Sequence, residues 1–345
     1  MEIPTSHKSH GGINFKFFKI ISLYQLDLAI VILNWNGKNW LEQFLPNVIR
    51  HSENADIYVI DNASGDDSVS FLKKNFPRVT IIQNEKNYGF AGGYNEGLKH
   101  IDHEFYCLLN SDVEVTENWI IPVLTIFKND ENIAAVQPKI LDYNRRNYFE
   151  FAGAGGGLID NLGYPYCRGR IFENIEEDHG QYNDEVEIFW ASGCCFFIRS
   201  KDFWSQNGFD ARFFAHQEEI DLCWRLKNSG RKIFYTGKST VYHVGGGTLN
   251  KQSPQKTFLN IRNNFSMILK NTPLSNLLWL IPFRLVLDGF AGIYLGYKNG
   301  ISHFWAVIRA HFSFYAQIPQ TVKLRQNSQI SKFYQDKWLV FKNFL

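Results

Sequence analysis

Leu28-Ala29-Ile30-Val31-Ile32-Leu33, closed by Asn34-Trp35-Asn36-Gly37, is an uninterrupted apolar run that stops on polar, turn-forming residues. A strand that is apolar on both faces belongs inside a sheet covered on both sides. The pattern recurs at Ile57–Ile60, Val79–Ile82 and Phe105–Leu109, with helical stretches between them. Strand and helix thus alternate four times, which predicts an α/β fold built on a mostly parallel sheet. Such sheets bind ligands at the carboxyl ends of their strands, so the residues just after each run carry the information.

Those residues are polar in every case. Asn34 and Asn36 follow the first run, Asp61 and Asn62 the second, Asn84 through Gly93 the third, and Asn110-Ser111-Asp112 the fourth. A single Asp after a strand commonly caps the next helix, a reading that stays open for Asp61 and for Asp112. Four polar loops along one edge favour a ligand site. A carboxylate at the tip of a buried strand suits a hard divalent cation whose shell a diphosphate completes, which makes Asp112 the candidate. The Gly-rich stretch from Asn87 to Asn95, including Gly92, leads into a helix. Close backbone approach and the helix N-terminus predict a phosphate or sugar there. Neither G-x-G-x-x-G nor G-x-x-x-x-G-K-[ST] occurs, which argues against dehydrogenases and P-loop enzymes.

Further along, Gly153, Gly155, Gly156, Gly157, Gly163 and Gly169, with little periodicity between 145 and 185, predict loops and short strands. Strand-like pieces follow at Val186–Trp190, Cys194–Ile198, Ile233–Tyr235 and Thr240–Val244. Glu218-Glu219-Ile220-Asp221 opens a helix spanning about residues 217–229. Acidic residues in a first turn are stabilised by the helix dipole; the sharper reading is that one of them is a general base facing the sheet edge. His243, followed by three glycines, is either a hydrogen-bonded structural residue or a ligand of metal or phosphate. Arg262, with Asn263 and Asn264, lies on a helix and either reaches a diphosphate or is merely solvated.

The chain has 345 residues, 45% hydrophobic and 20% charged, which is a globular composition and long enough for about two domains. Its five cysteines include no C-x-x-C pair, so neither a disulfide framework nor a zinc ribbon is expected, and a reducing compartment fits. The net charge of +2 conceals a polarity: residues 251–345 hold 12 Lys and Arg against only Asp288 and Asp336. That basic part is rich in aromatic residues, a mixture that suits an anionic membrane surface, with nucleic acid as the competing partner. Leu277–Tyr297 approaches membrane-span length, but Pro282, Arg284 and Asp288 disfavour a full span. An interfacial helix or re-entrant hairpin is expected, with a buried packing helix joined by an Arg284–Asp288 pair as the alternative. Residues 1–26 hold no apolar run of signal-peptide length and read as an arm.

Taken together, V-I-L-N-W-N at 31–36, I-D-N-A-S-G-D-D-S at 60–68, N-Y-G-F-A-G-G-Y-N at 87–95, L-L-N-S-D at 108–112, G-F-D-A-R-F-F at 208–214, E-E-I-D-L-C-W-R at 218–225 and Y-H-V-G-G-G at 242–247 resemble family 2 glycosyltransferases of the GT-A fold, in their rhamnosyltransferase-like branch. The resemblance runs from about Asp27 to Lys270. It implies a Rossmann-like GT-A domain over 27–270, after the arm at 1–26 and before a helical, membrane-associating extension at 271–345. It also implies an inverting transfer of a sugar from a UDP- or dTDP-sugar, rhamnose among the candidates, to a hydroxyl of a saccharide or lipid-linked saccharide in cell-surface polysaccharide synthesis. A nucleotide-sugar-binding protein without turnover is the alternative.

By the same resemblance Asp61 meets the nucleotide base, with Asn34 lining the pocket. Asn36, Asn62, Asn87, Gly92, Asn95, Asn110, Ser111 and Arg262 complete the nucleotide-sugar site. Asp112 and His243 hold Mg2+ or Mn2+, and Glu219 is the catalytic base. Two residues depart from the common pattern: Asn110 stands at the first position of an Asp-x-Asp motif, and Glu219 where Asp is usual. The expected setting is cytoplasmic, peripheral to the inner face of the cell membrane, with no nucleic-acid partner.

Overall fold

The computed structural model describes residues 27–245, 253–326 and 339. The arm at 1–26, Gly246, Gly247 and Thr248, and most of the tail after 326 lie outside the described residues.

The first apolar run forms β1 (Leu28–Asn34), and its alternate side chains feed two different cores. Ala29 and Val31 join one cluster with Ile60, Tyr94 and Leu222, whereas Leu28, Ile30 and Ile32 join another with Leu41, Leu45 and Val123. Each such side chain contributes about 1.5–3 kcal/mol when fully buried, so a register slip of one residue would disrupt both cores at once.

Helix α1 (Lys38–Arg50) buries Leu41, Phe44, Leu45 and Val48 at helical spacing. Then follow β2 (Asp56–Asp61), α2 (Ser68–Asn75), β3 (Thr80–Gln83), α3 (Gly89–Leu98) and β4 (Phe105–Leu109). Strands β4, β1, β2 and β3 lie side by side and parallel, as the alternation predicts.

The sheet continues on its other side with β5 (Val113–Val115), β6 (Ile133–Asp142), β11 (Glu185–Ile188), β12 (Cys195–Arg199) and β13 (Lys232–His243). Helix α4 (Ile120–Asn129) lies between β5 and β6 in the chain. The order is β11-β13-β6-β12-β4-β1-β2-β3, with β5 on β13; β12 and β11 run antiparallel to their neighbours. The pieces read as Ile233–Tyr235 and Thr240–Val244 are one strand, because its pairing with β6 shifts register between Thr236 and Thr240 and then resumes. The Gly-rich excursion holds a small antiparallel sheet of β7 (Gly157–Ile159), β8 (Pro165–Cys167), β9 (Arg170–Ile171) and β10 (Asn174–Ile175).

Short α5 (Ser200–Ser205) follows β12, and α6 (Glu218–Asn228) packs Ile220, Leu222, Cys223 and Trp224 into the first core. The chain ends in three helices, α7 (Pro254–Asn271), α8 (Leu274–Asn299) and α9 (Ile301–Lys323). They enclose a third core of Phe265, Ile268, Leu277, Leu280 and Phe314, joined by Leu162.

Candidate active site

Parallel pairing of β1 with β2 sets Asn34 opposite Asp61 at the carboxyl edge of the sheet. The Asn34 amide donates to Asp61 Oδ1 at 3.0 Å and to Ser64 Oγ at 3.1 Å, and the Ser64 N–H donates to Asp61 Oδ2 at 3.0 Å. Asn36 accepts from the Gly65 N–H at 2.7 Å, tying the two loops together. Asp61 therefore does not cap α2, whose N-cap is Asp67; its carboxylate is buried between the β1 and β2 loops. Asn34 Oδ1 is buried and takes no hydrogen bond.

Asp112 lies between β4 and β5, and the pairing of β5 with β13 brings His243 opposite Val113. Its carboxylate Oδ1 lies 3.2 Å from His243 Nε2, with the Asn110 amide 3.4 Å from the same nitrogen. On the other side of the ring, Nδ1 lies 3.5 Å from Glu150 Oε1. All three ionisable side chains are buried. Burial opposes charge on His243, but Cys194, Asp112 and Glu150 outweigh it and raise the imidazole well above its ordinary value. Burial likewise pushes Asp112 up, yet His243 overrides it and holds the carboxyl below its usual range. Asp112 caps no helix, since α4 begins only after Trp119.

Among the described residues no group of three His, Cys, Asp or Glu side chains is arranged to hold a metal alone. One carboxylate oxygen and one imidazole nitrogen 3.2 Å apart do fit a divalent cation completed by phosphate oxygens, and buried His243 Nδ1 lacks a hydrogen-bond partner.

The third constellation opens α6. Three non-glycine residues in the preceding segment have left-handed backbones: Phe214 (φ 65°), His216 (φ 72°) and Gln217 (φ 71°). Conformations of this kind cost about 1–3 kcal/mol each and persist only under external restraint. Helix α7 supplies it. The Asn263 amide donates to the carbonyls of Phe213, Ala215 and His216, Arg262 donates to those of Arg212 and Phe213, and Gln217 donates to the Asn260 carbonyl.

The restrained segment delivers Glu219 to Gly193. A Cβ at Gly193 would lie 3.3 Å from the Phe90 ring and 3.8 Å from Glu219 Cδ, so the glycine lies directly beside the Glu219 carboxyl. The next residue, Cys194, accepts the Asn110 N–H at 3.0 Å, which places Glu219 on the edge that carries Asn110 and Asp112.

Burial pushes the Glu219 carboxyl up to about 7, against the pull of its own amide and those of Gly193 and Ile220. The helix-dipole reading is thus present but outweighed. Burial and the Glu219 charge also push Glu218 well above the ordinary carboxyl range. Asp221 is already paired, with Arg225 at 2.9 Å and Lys270 at 2.7 Å, and has a structural role. Of the acidic trio, Glu219 is the one beside Gly193.

The Gly-rich loop departs from expectation. The N–H groups of Phe90 and Ala91 at the start of α3 donate to the Phe214 carbonyl at 2.6 and 3.2 Å, so protein fills the place predicted for a phosphate. Asn62 donates to Asn87 Oδ1 and the Gly89 carbonyl, Asn95 exchanges hydrogen bonds with the Phe209 backbone, and Gly92 packs against Tyr88 and Ala211. These residues fasten loops to one another. Arg262, predicted to reach a diphosphate or to be solvated, instead braces the segment before Glu219. Ser111 is half-buried next to Asp112, its hydroxyl near the Asn34 side of the edge. The sequence reading missed Glu150 and the clamp made by Asn263 and Gln217. Only the Asn263-Asn264 pair beside Arg262 gave any signal, because buried amides on a helix need carbonyl partners.

Residues 29–205 match the model of the family described as Glycosyl transferase family 2. The rhamnosyltransferase WbbL of Escherichia coli (strain K12) is 31% identical over 257 residues, which cover 72% of this chain and 94% of WbbL. The N-acetylglucosaminyl-diphospho-decaprenol L-rhamnosyltransferase of Mycobacterium tuberculosis (strain ATCC 25618 / H37Rv) is 22% identical over 232 residues, 63% of this chain and 75% of that protein.

Among solved structures, GalNAc-T7 with UDP, GalNAc and Mn2+ superimposes with a TM-score of 0.58 at 15% identity, covering 85% of this chain and 58% of its own. The mannosyltransferase PcManGT from Pyrobaculum calidifontis, in complex with GDP-Man and Mn2+, gives 0.53 at 12% identity, covering 88% and 94%. The mixed, mostly parallel sheet is that of the GT-A fold. The chain belongs to glycosyl transferase family 2 and is a glycosyltransferase.

Proposed function

We propose that the chain transfers a sugar, rhamnose being the first candidate, from a UDP- or dTDP-sugar to a hydroxyl of a saccharide or lipid-linked saccharide, with inversion at the anomeric carbon. The observation that carries this reading is Glu219, a carboxylate held near neutral pKa beside Gly193 on the edge that also bears Asp112. Glu219 takes the proton of the acceptor hydroxyl. The freed oxygen forms its bond to the anomeric carbon while the bond from that carbon to the diphosphate oxygen breaks on the opposite face. The nucleoside diphosphate leaves with the electron pair, and Glu219 returns its proton to solvent.

Asp61, braced by Asn34 and Ser64, receives the base end of the donor. Asp112 and His243 would hold Mn2+ or Mg2+, which when bound offsets negative charge on the diphosphate. The rhamnosyl reading draws support from the names of the two rhamnosyltransferase relatives, and the lipid-linked acceptor from the decaprenol of the mycobacterial one. Five free, buried thiols support a cytoplasmic location.

The test is a thermal-shift screen of nucleotide sugars with Mn2+ or Mg2+, followed by transfer assays with the donor that protects best. Glu219→Gln should keep donor binding and lower transfer by about 10²–10⁴-fold. Equal inertness of both proteins across donors they bind would leave only a binding protein. A product with retained anomeric configuration would refute the single displacement.

A further inference from the structure

Apart from Trp35 and Phe214, every exposed large apolar side chain among the described residues lies between Leu274 and Leu324. On α8 the exposed residues Leu278, Val286, Phe290, Ile293 and Tyr297 recur at helical spacing along almost the whole element. On α9 the exposed set is Ile301, Trp305, Phe312, Tyr315 and Val322. The two helices pack against each other where Gly292 meets Val307 and Gly296 meets Phe304, so the stripes belong to neighbouring elements. Monomeric soluble proteins rarely leave so many large apolar groups together in water.

The opposite face of α8 is different. Leu277, Leu280, Arg284, Asp288 and Gly292 form its buried stripe. Arg284 donates to Asn264 Oδ1 at 2.8 Å and to the Leu162 carbonyl, and Asp288 accepts from the Tyr164 hydroxyl at 2.8 Å. Both charges that count against an apolar setting therefore face the catalytic domain. Between Leu274 and Tyr297 the outward side of α8 carries no charged residue, and Lys298 lies just beyond.

We infer that the outward faces of α8 and α9 are embedded in one leaflet of an anionic lipid bilayer, with both helices lying along the surface. Helix α8 is long and apolar enough to cross a membrane, at 26 residues or about 39 Å. Crossing would strip Arg284 and Asp288 from Asn264, Leu162 and Tyr164, whereas lying flat keeps every one of those bonds.

Two features select lipid over a second copy of the chain. The stripes are rich in Trp and Tyr, whose rings are apolar and whose N–H and O–H groups stay wet at headgroup level. The two helices expose Lys298, Arg309 and Lys323, while their one carboxylate, Asp288, is buried, which complements an anionic leaflet and disfavours a like-charged copy. The inference does not depend on the identity of the donor or acceptor.

The full chain is tested by flotation with vesicles of phosphatidylcholine, pure or with one quarter phosphatidylglycerol. It should rise with the anionic vesicles and much less with the neutral ones. Phe290→Glu combined with Ile293→Glu replaces exposed side chains only and should lower vesicle binding at least about tenfold, with unchanged thermal unfolding and nucleotide-sugar binding in solution. The Asn299→Cys variant, at the exposed end of α8 beyond the embedded stripe, reports topology, because the native thiols are buried. In sealed vesicles its introduced thiol should react with an impermeant maleimide added outside. The inference is overturned if the wild type stays in the aqueous fraction, if light scattering shows a dimer that the double Glu variant splits, or if the introduced thiol reacts only after the vesicles are opened.

Discussion

At Glu219 the sign of the burial effect yields two measurements from one residue. A base whose carboxyl titrates at about 7 must lose its proton before it can accept one, so transfer should rise through neutral pH and level off above it. Raised folded pKa also means that the protonated form favours the folded state. Stability from this group is greatest below the ordinary value of 4.5 and declines as pH climbs toward about 7. Glu219→Gln removes that decline, so its melting temperature should exceed that of the wild type at pH 8, and the gap should close near pH 5. A scanning calorimetry series checks this, and an unchanged gap would deny burial as the cause. At this scale the sequence was legible where chemistry is distinctive: Asp61, Asp112, His243 and Glu219 lie along one edge. It was illegible for amides. Asn62, Asn87 and Asn95 look the same in sequence whether they bind a sugar hydroxyl or a carbonyl of their own chain, and here they bind their own chain.

Among the elements, α7 does most to position the base while contributing no side chain to the proposed chemistry. Its Asn263 satisfies three carbonyls in the segment 213–216, where Phe214 and His216 are left-handed. Asn263→Ala leaves those carbonyls without a buried donor and should cost about 1–3 kcal/mol of stability. A displaced base should also lower kcat roughly tenfold or more, with little change in donor KM and a shifted acid limb of the pH profile. A loss of stability alone, with the pH profile intact, would make the clamp merely structural. The sequence showed the strands of the parallel half because each is a short, wholly apolar run. It split β13 in two, since Gly237-Lys238-Ser239 interrupts the apolar pattern while β6 carries the pairing across the irregularity. Strand pairing is a property of the partner, and one strand's letters do not display it.

For the molecule as a whole, the sheet is the part that sequence periodicity conveys and the helical layer is the part it obscures. Arg284 and Asp288 look in the sequence like obstacles to an apolar setting; folded, they are buried against the domain and bonded to it. Arg284→Met would leave Asp288 buried without its partner and should destabilise the protein by about 3–5 kcal/mol, measured by denaturant unfolding. Adding Asp288→Leu should recover much of that loss, and failure to recover would mean that the pair contributes more than mutual neutralisation. The layer is also mechanically continuous with the site. Helix α7 grips the segment before Glu219 on one side and, through Phe265 against Phe314 with ring centroids 5.1 Å apart and Thr257 against His303 at 2.9 Å, holds α9 on the other. If the outer stripes lie in lipid as proposed, this stack would act as a height gauge that fixes the elevation of Glu219 above the headgroups. An acceptor anchored in the same leaflet would then be chosen by how far its hydroxyl stands off the surface, and one sugar unit more or less would carry that hydroxyl out of reach.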